Sequence, residues 1–132
     1  MWYPPELPDD KDTILILAGD IWIGTKFIWN GTDSWISNIA PNFKQVLIVL
    51  GNHDYWAIQG GNLTIKDGAK KCNILLEQMC LFNVKVLDCD TFADGDYLFV
   101  GCTLWTDMDK EGPLAMYNMS RFMAYDGRIR YN

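Results

Sequence analysis

"QVLIVLGNHDYW", Gln45 to Trp56, is the stretch on which the fold of this chain turns. Gln45 to Leu50 is an apolar run without the polar alternation of a half-solvated strand. Such runs suit strands covered on both faces, as in a parallel sheet flanked by helices. The run stops in Gly51, and Asn52, His53 and Asp54 follow at once, His53 being the sole histidine of the chain. A turn needs no more than Asn-Gly or Asp-Gly. Three different polar functions in a row call for a chemical explanation.

Upstream, "TILILAGD", Thr13 to Asp20, repeats the arrangement: an apolar run, a glycine, then a metal-competent side chain. If the two strands are neighbours and parallel, Asp20 and Asn52 project from one rim. That rim, at the carboxyl ends of the strands, is where open α/β sheets collect ligands. Glycine at the strand end lets the chain turn sharply there. A carboxylate can bridge two divalent cations, and an amide oxygen is a neutral ligand for hard or borderline metals. Two cations roughly 3.5–4 Å apart activate water and clamp the oxygens of a phosphate ester. His53 could then donate a proton to the leaving oxygen. Asp54 could hold the imidazole in one orientation, or merely cap the segment that follows.

Outward from these motifs, "DSWISNIAPNF" supplies a short helix with Asp33 or Ser34 as its cap. Over about 66–82, Ala69, Cys72, Leu75, Leu76, Met79 and Leu81 or Phe82 fall near a 3.6-residue period, predicting an amphipathic helix. "VKVLD" (84–88) and "YLFVGCTLW" (97–105) read as two further strands joined by "CDTFADGD", with Asp94-Gly95 as a hairpin signal. "GPLAMYNMSRFMAYD" opens with Pro113 near a first-turn position and predicts a last helix. The order β, short α, β, α, β, β, α indicates an α/β layered domain.

"LILAGDIW" and "VLGNHDYW" resemble the second and third sequence motifs of the calcineurin-like metallophosphoesterases, and "FVGCTLWTD" (99–107) resembles a segment of cytoplasmic bacterial and phage members. The resemblance covers approximately residues 13–107. It implies a layered β-sandwich flanked by helices, with the site on the strand-end loops. It implies a hydrolase acting on a phosphomonoester or phosphodiester with two divalent cations, Mn²⁺, Fe²⁺ or Zn²⁺. By the same resemblance Asp20 is the metal-bridging carboxylate, Asn52 a ligand of the second metal, and His53 the residue facing the substrate phosphate. Asp54 fills the acidic position that closes the motif.

The family's D-x-H on the first strand and its later G-H and G-H-x-H have no counterpart here, since His53 is the only histidine. Asp20 and Asn52 alone remain of the usual metal set. The expectation is therefore one partial metallophosphoesterase domain spanning 1–132: a fragment or split form, or a chain whose site a second polypeptide completes. The alternative is a non-catalytic interaction module on the same fold.

The chain has 132 residues, which suits a single domain, and 49% hydrophobic residues, which supply a core. A net charge of −6 argues against a broad basic face for nucleic acid. A phosphorylated substrate stays compatible with that charge, because bound cations invert the local field. The N-terminal "MWYPPELPDDKD" lacks the pattern of a secretory signal. No apolar run approaches the roughly 18 residues of a membrane span. A cytoplasmic location follows as the expectation. Cys72, Cys80, Cys89 and Cys102 show no C-x-x-C pair and no zinc-finger spacing, so they are expected reduced and mostly buried. The N-x-[ST] matches at Asn30, Asn62 and Asn118 are then irrelevant to glycosylation.

"VLDCDTF" places Asp88 and Asp90 in the D-x-D spacing of haloacid-dehalogenase-like phosphatases, but Thr91 follows directly where a glycine is usual. A polar turn before the hairpin is the expected role. Trp22, Trp29, Trp35, Trp56 and Trp105 fall near strand ends, where aromatic rings either pack or wall a pocket.

Overall fold

The computed structural model describes residues 4–5, 10–21, 34–55, 65–104 and 112. Within them, β1 (Ile14–Ala18), α1 (Trp35–Ile39), β2 (Gln45–Val49), α2 (Gly68–Gln78), β3 (Val84–Leu87), β4 (Asp90–Asp94) and β5 (Tyr97–Gly101) follow in order. The architecture is mixed α/β. One sheet has three strands in the order β1-β2-β3, and a second has β4 and β5.

The two apolar runs pair in parallel, Ile14 against Gln45 through Ala18 against Val49. β3 joins the other edge of β2, also in parallel, from Val46 against Val84 to Val49 against Leu87. The central strand β2 is the best covered: Val46, Leu47 and Ile48 are all buried. β1 departs from the expectation of two covered faces. Leu17 is buried, whereas Ile16 on the opposite face is 56% exposed. A continuous apolar run therefore marks a strand of this sheet without fixing how many of its faces are covered.

α1 begins where a cap is available. Ser34, itself buried, accepts the Ser37 N–H at 3.3 Å, which satisfies one of the orphan donors of a first turn. Ser34, not Asp33, is the capping residue. Trp35, Ile36 and Ile39 turn into the core, so Trp35 is a packing residue. Pro41 sits in the 3-10 turn Ala40–Asn42 that ends the helix.

α2 is shorter than the 66–82 expected, and the reason is local. Cys80 adopts φ 58, and its N–H reaches the Glu77 carbonyl while the Leu81 N–H reaches that of Leu76. This is the Schellman arrangement, usually signalled by glycine. Here a cysteine takes the left-handed position, so the sequence carries no stop signal. Ala69, Cys72 and Leu76 are buried, with Leu75, Met79 and Leu81 packed beside them. Phe82 stays outside at 77% exposure.

α2 docks onto β3 through Asn73. Its side-chain oxygen accepts the Val86 N–H at 2.8 Å, and its amide donates to the Val86 carbonyl at 2.9 Å. One side chain thus occupies backbone groups that a further strand would otherwise pair.

The segment after β3 corrects the expected loop. Residues 90–94 form β4, which pairs antiparallel with β5 from Asp90 against Gly101 to Asp94 against Tyr97. The hairpin therefore joins β4 to β5, and β3 belongs to the parallel sheet. Its two-residue turn is Gly95-Asp96, one position later than Asp94-Gly95, with Gly95 at φ 56. Lys44 bonds Asp94 at 2.7 Å and Lys85 bonds Asp90 at 2.9 Å, tying the hairpin to β2 and β3. The Lys85 hydrogen bond, followed by the Thr91 N–H, holds the Asp90 carboxyl below its usual range. Asp90 is thus an ion-paired strand residue.

The expected thiol burial holds only for Cys72. Cys80 and Cys89 are exposed and Cys102 is half-buried. The last expected helix (112–126), apart from Gly112, lies outside the described residues, as do Trp22, Trp29, Trp56 and Trp105. No described helix is long and apolar enough to cross a membrane.

Candidate functional site

Because β1 and β2 are adjacent and parallel, with Ala18 opposite Val49, the turns that follow them leave the sheet side by side. Their backbones approach closely. A Cβ on Gly19 would lie 3.0 Å from both Cα and N of Gly51, and one on Gly51 would lie 2.3 Å from Asp20 Oδ1. Both positions need glycine for space. Gly19 also needs it for conformation, since its φ is 88. Asp20 follows at φ 51, a left-handed value that Asp tolerates better than most residues.

Asp54 fastens this pair of turns. Its side chain is fully buried, and its Oδ2 accepts the Asp20 N–H at 2.9 Å and the Gly51 N–H at 2.8 Å. One carboxylate oxygen therefore receives a backbone donor from each turn. Charge-assisted bonds of this kind are roughly twice as strong as neutral ones. The second link runs the other way: the His53 N–H donates to Asp20 Oδ1 at 3.0 Å. Asp20 is held by its own amide to Asp54 and by its own carboxylate to His53, two consecutive residues of the other turn.

Asn52 to Tyr55 form a single 3-10 turn in which Asp54 and Tyr55 face the core while Asn52 and His53 stay half-buried at the rim. Asp20 is exposed. The structure thus brings together Asp20, Asn52 and His53 at the carboxyl edge of the sheet and sets Asp54 beneath them. A carboxylate offers about four acceptor sites, so one amide hydrogen bond leaves Asp20 with capacity for a cation. Asn52, next to His53 in the turn, carries an amide oxygen of the same hard-donor type.

The charge of the buried carboxylate is felt below. Burial, and after it Asp54, pushes the Cys72 thiol from 9.0 up to about 12. The Tyr55 hydroxyl is raised above the ordinary phenol range, first by burial and then by the Asp88 carboxylate. Asp88 lies directly after β3, and its charge reaches this buried hydroxyl from there. From the second sheet, the Thr103 hydroxyl donates to the Leu50 carbonyl, and a Cβ on Gly101 would strike Leu87 and Val49. The end of β5 thus leans across the ends of β2 and β3.

Sequence reasoning singled out Asp20, Asn52, His53 and Asp54, and all four lie at this convergence. Missed were Gly51 and Gly19 as mutual spacers and Thr103 as a brace. The glycines had a readable signal in their placement at both strand ends. Thr103 had none, because its partner is 53 residues away. Among the described residues, the group of three or more His, Cys, Asp or Glu side chains close enough to share an ion is Asp88, Cys89 and Cys102, not the Asp20 rim. No family model matches the chain, and no curated protein or solved structure matches it.

Proposed function

We propose that this chain is a calcineurin-like metallophosphoesterase domain whose rim, Asp20, Asn52 and His53, handles a phosphate ester. The observation that carries this reading is the convergence of the G-D and G-N-H-D turns through the Asp54 carboxylate and the His53 amide. The donor types suit a hard or borderline divalent cation, Mn²⁺, Fe²⁺ or Zn²⁺: an anionic oxygen from Asp20 and a neutral one from Asn52. Such a cation, when bound, supplies Lewis acidity toward phosphoryl oxygens and an acidified water. Two side chains leave most of its coordination to solvent, substrate or another polypeptide, and weak binding is expected of this chain alone.

The chain's own residues have separate tasks. Asp20 is pre-set by backbone held at φ 51, and local strain of this sort clusters at functional sites. His53, its amide anchored to Asp20, presents its imidazole at the rim to donate a proton to the oxygen that leaves phosphorus. Asp54 acts through the backbone it holds, as a positioning residue. The reading includes a cytoplasmic location and a phosphomonoester or phosphodiester substrate, and a net charge of −6 is compatible with a phosphate bound through cations.

The test is hydrolysis of a chromogenic phosphate ester with added Mn²⁺, comparing wild type with Asp20→Asn and His53→Ala. Loss of a general acid costs about a hundredfold or more, and both variants should fall by at least that. Mn²⁺-dependent activity unchanged in both would reject the assignment.

One observation favours a second reading, a non-catalytic interaction module. Tyr97, Leu98, Val100 and Leu104 are large apolar residues exposed along β5 and just beyond it, a surface of the kind that partners cover. That reading predicts a chain indifferent to divalent metal at Asp20, so the same Mn²⁺ comparison separates the two.

A further inference from the structure

The hairpin register has a chemical consequence outside the Asp20 rim. Asp90 pairs with Gly101 at the open end of the hairpin, so the next residues out, Cys89 and Cys102, stand opposite one another. Their sulfurs lie 3.0 Å apart. The carboxylate of Asp88 completes a trio whose ligand atoms all fall within 4.8 Å of one another. Cys89 is exposed and the other two are half-buried, so an ion from solvent can reach the group. Cys89 holds its place at φ 50, a conformation uncommon for a residue other than glycine.

We propose that Asp88, Cys89 and Cys102 form a binding site for a thiophilic divalent cation of the zinc class, separate from the Asp20–Asn52 rim. Two thiolates and a carboxylate are the donors such an ion prefers, with water in the fourth position. Zinc–sulfur bonds of about 2.3 Å in tetrahedral geometry set two sulfurs roughly 3.8 Å apart. From 3.0 Å, a rotation at the exposed Cys89 reaches that spacing. Closing to a disulfide requires a contraction to about 2.05 Å instead. The third member decides between them. A carboxylate takes no part in a disulfide, whereas it is a third ligand once a cation is there. Binding displaces the two thiol protons to solvent. Asp90, next in the chain, is occupied by Lys85 and the Thr91 N–H, which leaves Asp88 as the acid of the trio. The site ties the end of β3 to the end of β5, next to the Thr103 brace on Leu50.

The test titrates the reduced full chain with Co²⁺, then displaces it with Zn²⁺. One equivalent of Co²⁺ should give thiolate-to-metal charge-transfer absorption that Zn²⁺ removes. Cys89→Ser and Cys102→Ser should abolish the band, and Cys80→Ser should leave it intact. Asp88→Asn should weaken binding by at least about tenfold, the least that loss of even an outer partner costs a metal site. Independently of any variant, Zn²⁺ should slow alkylation of Cys89 and Cys102 in the wild type while Cys80 labels at an unchanged rate. No band, a band surviving either serine substitution, or undiminished alkylation would each overturn the proposal. So would a Cys89–Cys102 disulfide that forms in air equally fast with and without Zn²⁺.

Discussion

Replacing Asp54 with alanine removes the acceptor that two backbone amides share. The Asp20 and Gly51 N–H groups donate to one Oδ2 at 2.9 and 2.8 Å, and the side chain they meet is fully buried. Each donor left without a partner costs about 1–3 kcal/mol. Removing a buried charge returns part of its desolvation cost, so a net loss of about 3 kcal/mol is expected from these two principles. For a domain of this size that corresponds to roughly a 10 °C fall in Tm. Asp54→Asn keeps one oxygen in reach of the turns and forfeits the charge assistance, so about half of that loss is expected. Urea unfolding followed by tryptophan fluorescence gives the stability, and amide hydrogen exchange gives the location. Protection should fall first at Asp20 and Gly51. An alanine variant within about 0.5 kcal/mol of wild type, the range of ordinary surface substitutions, with both amides still protected, would refute the clamp.

Gly51→Ala drives a methyl to 2.3 Å from the Asp20 carboxylate and 2.5 Å from its amide nitrogen, so the two turns must part. Mn²⁺ affinity should drop together with stability, read by titration and urea midpoint. Asn73→Ala leaves the Val86 N–H and carbonyl without their side-chain partner; about 2 kcal/mol of stability should go, with faster exchange at the Val86 amide. Cys72 has a folded-state value near 12 against 9.0 ordinarily. The neutral buried thiol therefore contributes fully below pH 9.0 and its share is lost as pH rises toward about 12. Stability should fall by about 1.4 kcal/mol per pH unit in that window. Cys72→Ala should remove that share of the slope, measured as urea midpoints against pH.

What the sequence discloses follows from which physical signals are local. The two apolar runs ending in glycine disclose the parallel pair and, through it, the convergence of the turns that carry Asp20 and Asn52, because strand adjacency carries both turns to one edge. β4 is silent by comparison. Asp90 to Asp94 is edge-like, with Phe92 and Asp94 only half-buried and the rest exposed. Its attachment is ionic, through Lys85 and Lys44, so no hydrophobic period marks it. The end of α2 is hidden for a different reason, the left-handed position being filled by Cys80. Asp54 is visible as an acid beside a histidine. That its carboxylate faces the backbone of a turn 34 residues earlier depends on the fold of the Asn52–Tyr55 turn. Cys89 and Cys102 lie 13 residues apart, and they become a pair only through the hairpin register.

The central claim is that Asp20 and Asn52 make one cation-attracting spot at the sheet edge. Paramagnetic broadening of backbone amides on adding substoichiometric Mn²⁺ to the isotopically labelled chain measures this directly. Broadening should begin at Gly19 to Ile21 and Gly51 to Asp54, and should vanish from both segments in Asp20→Asn. Broadening elsewhere that leaves these two turns sharp, or a pattern at the turns that Asp20→Asn does not change, would contradict it.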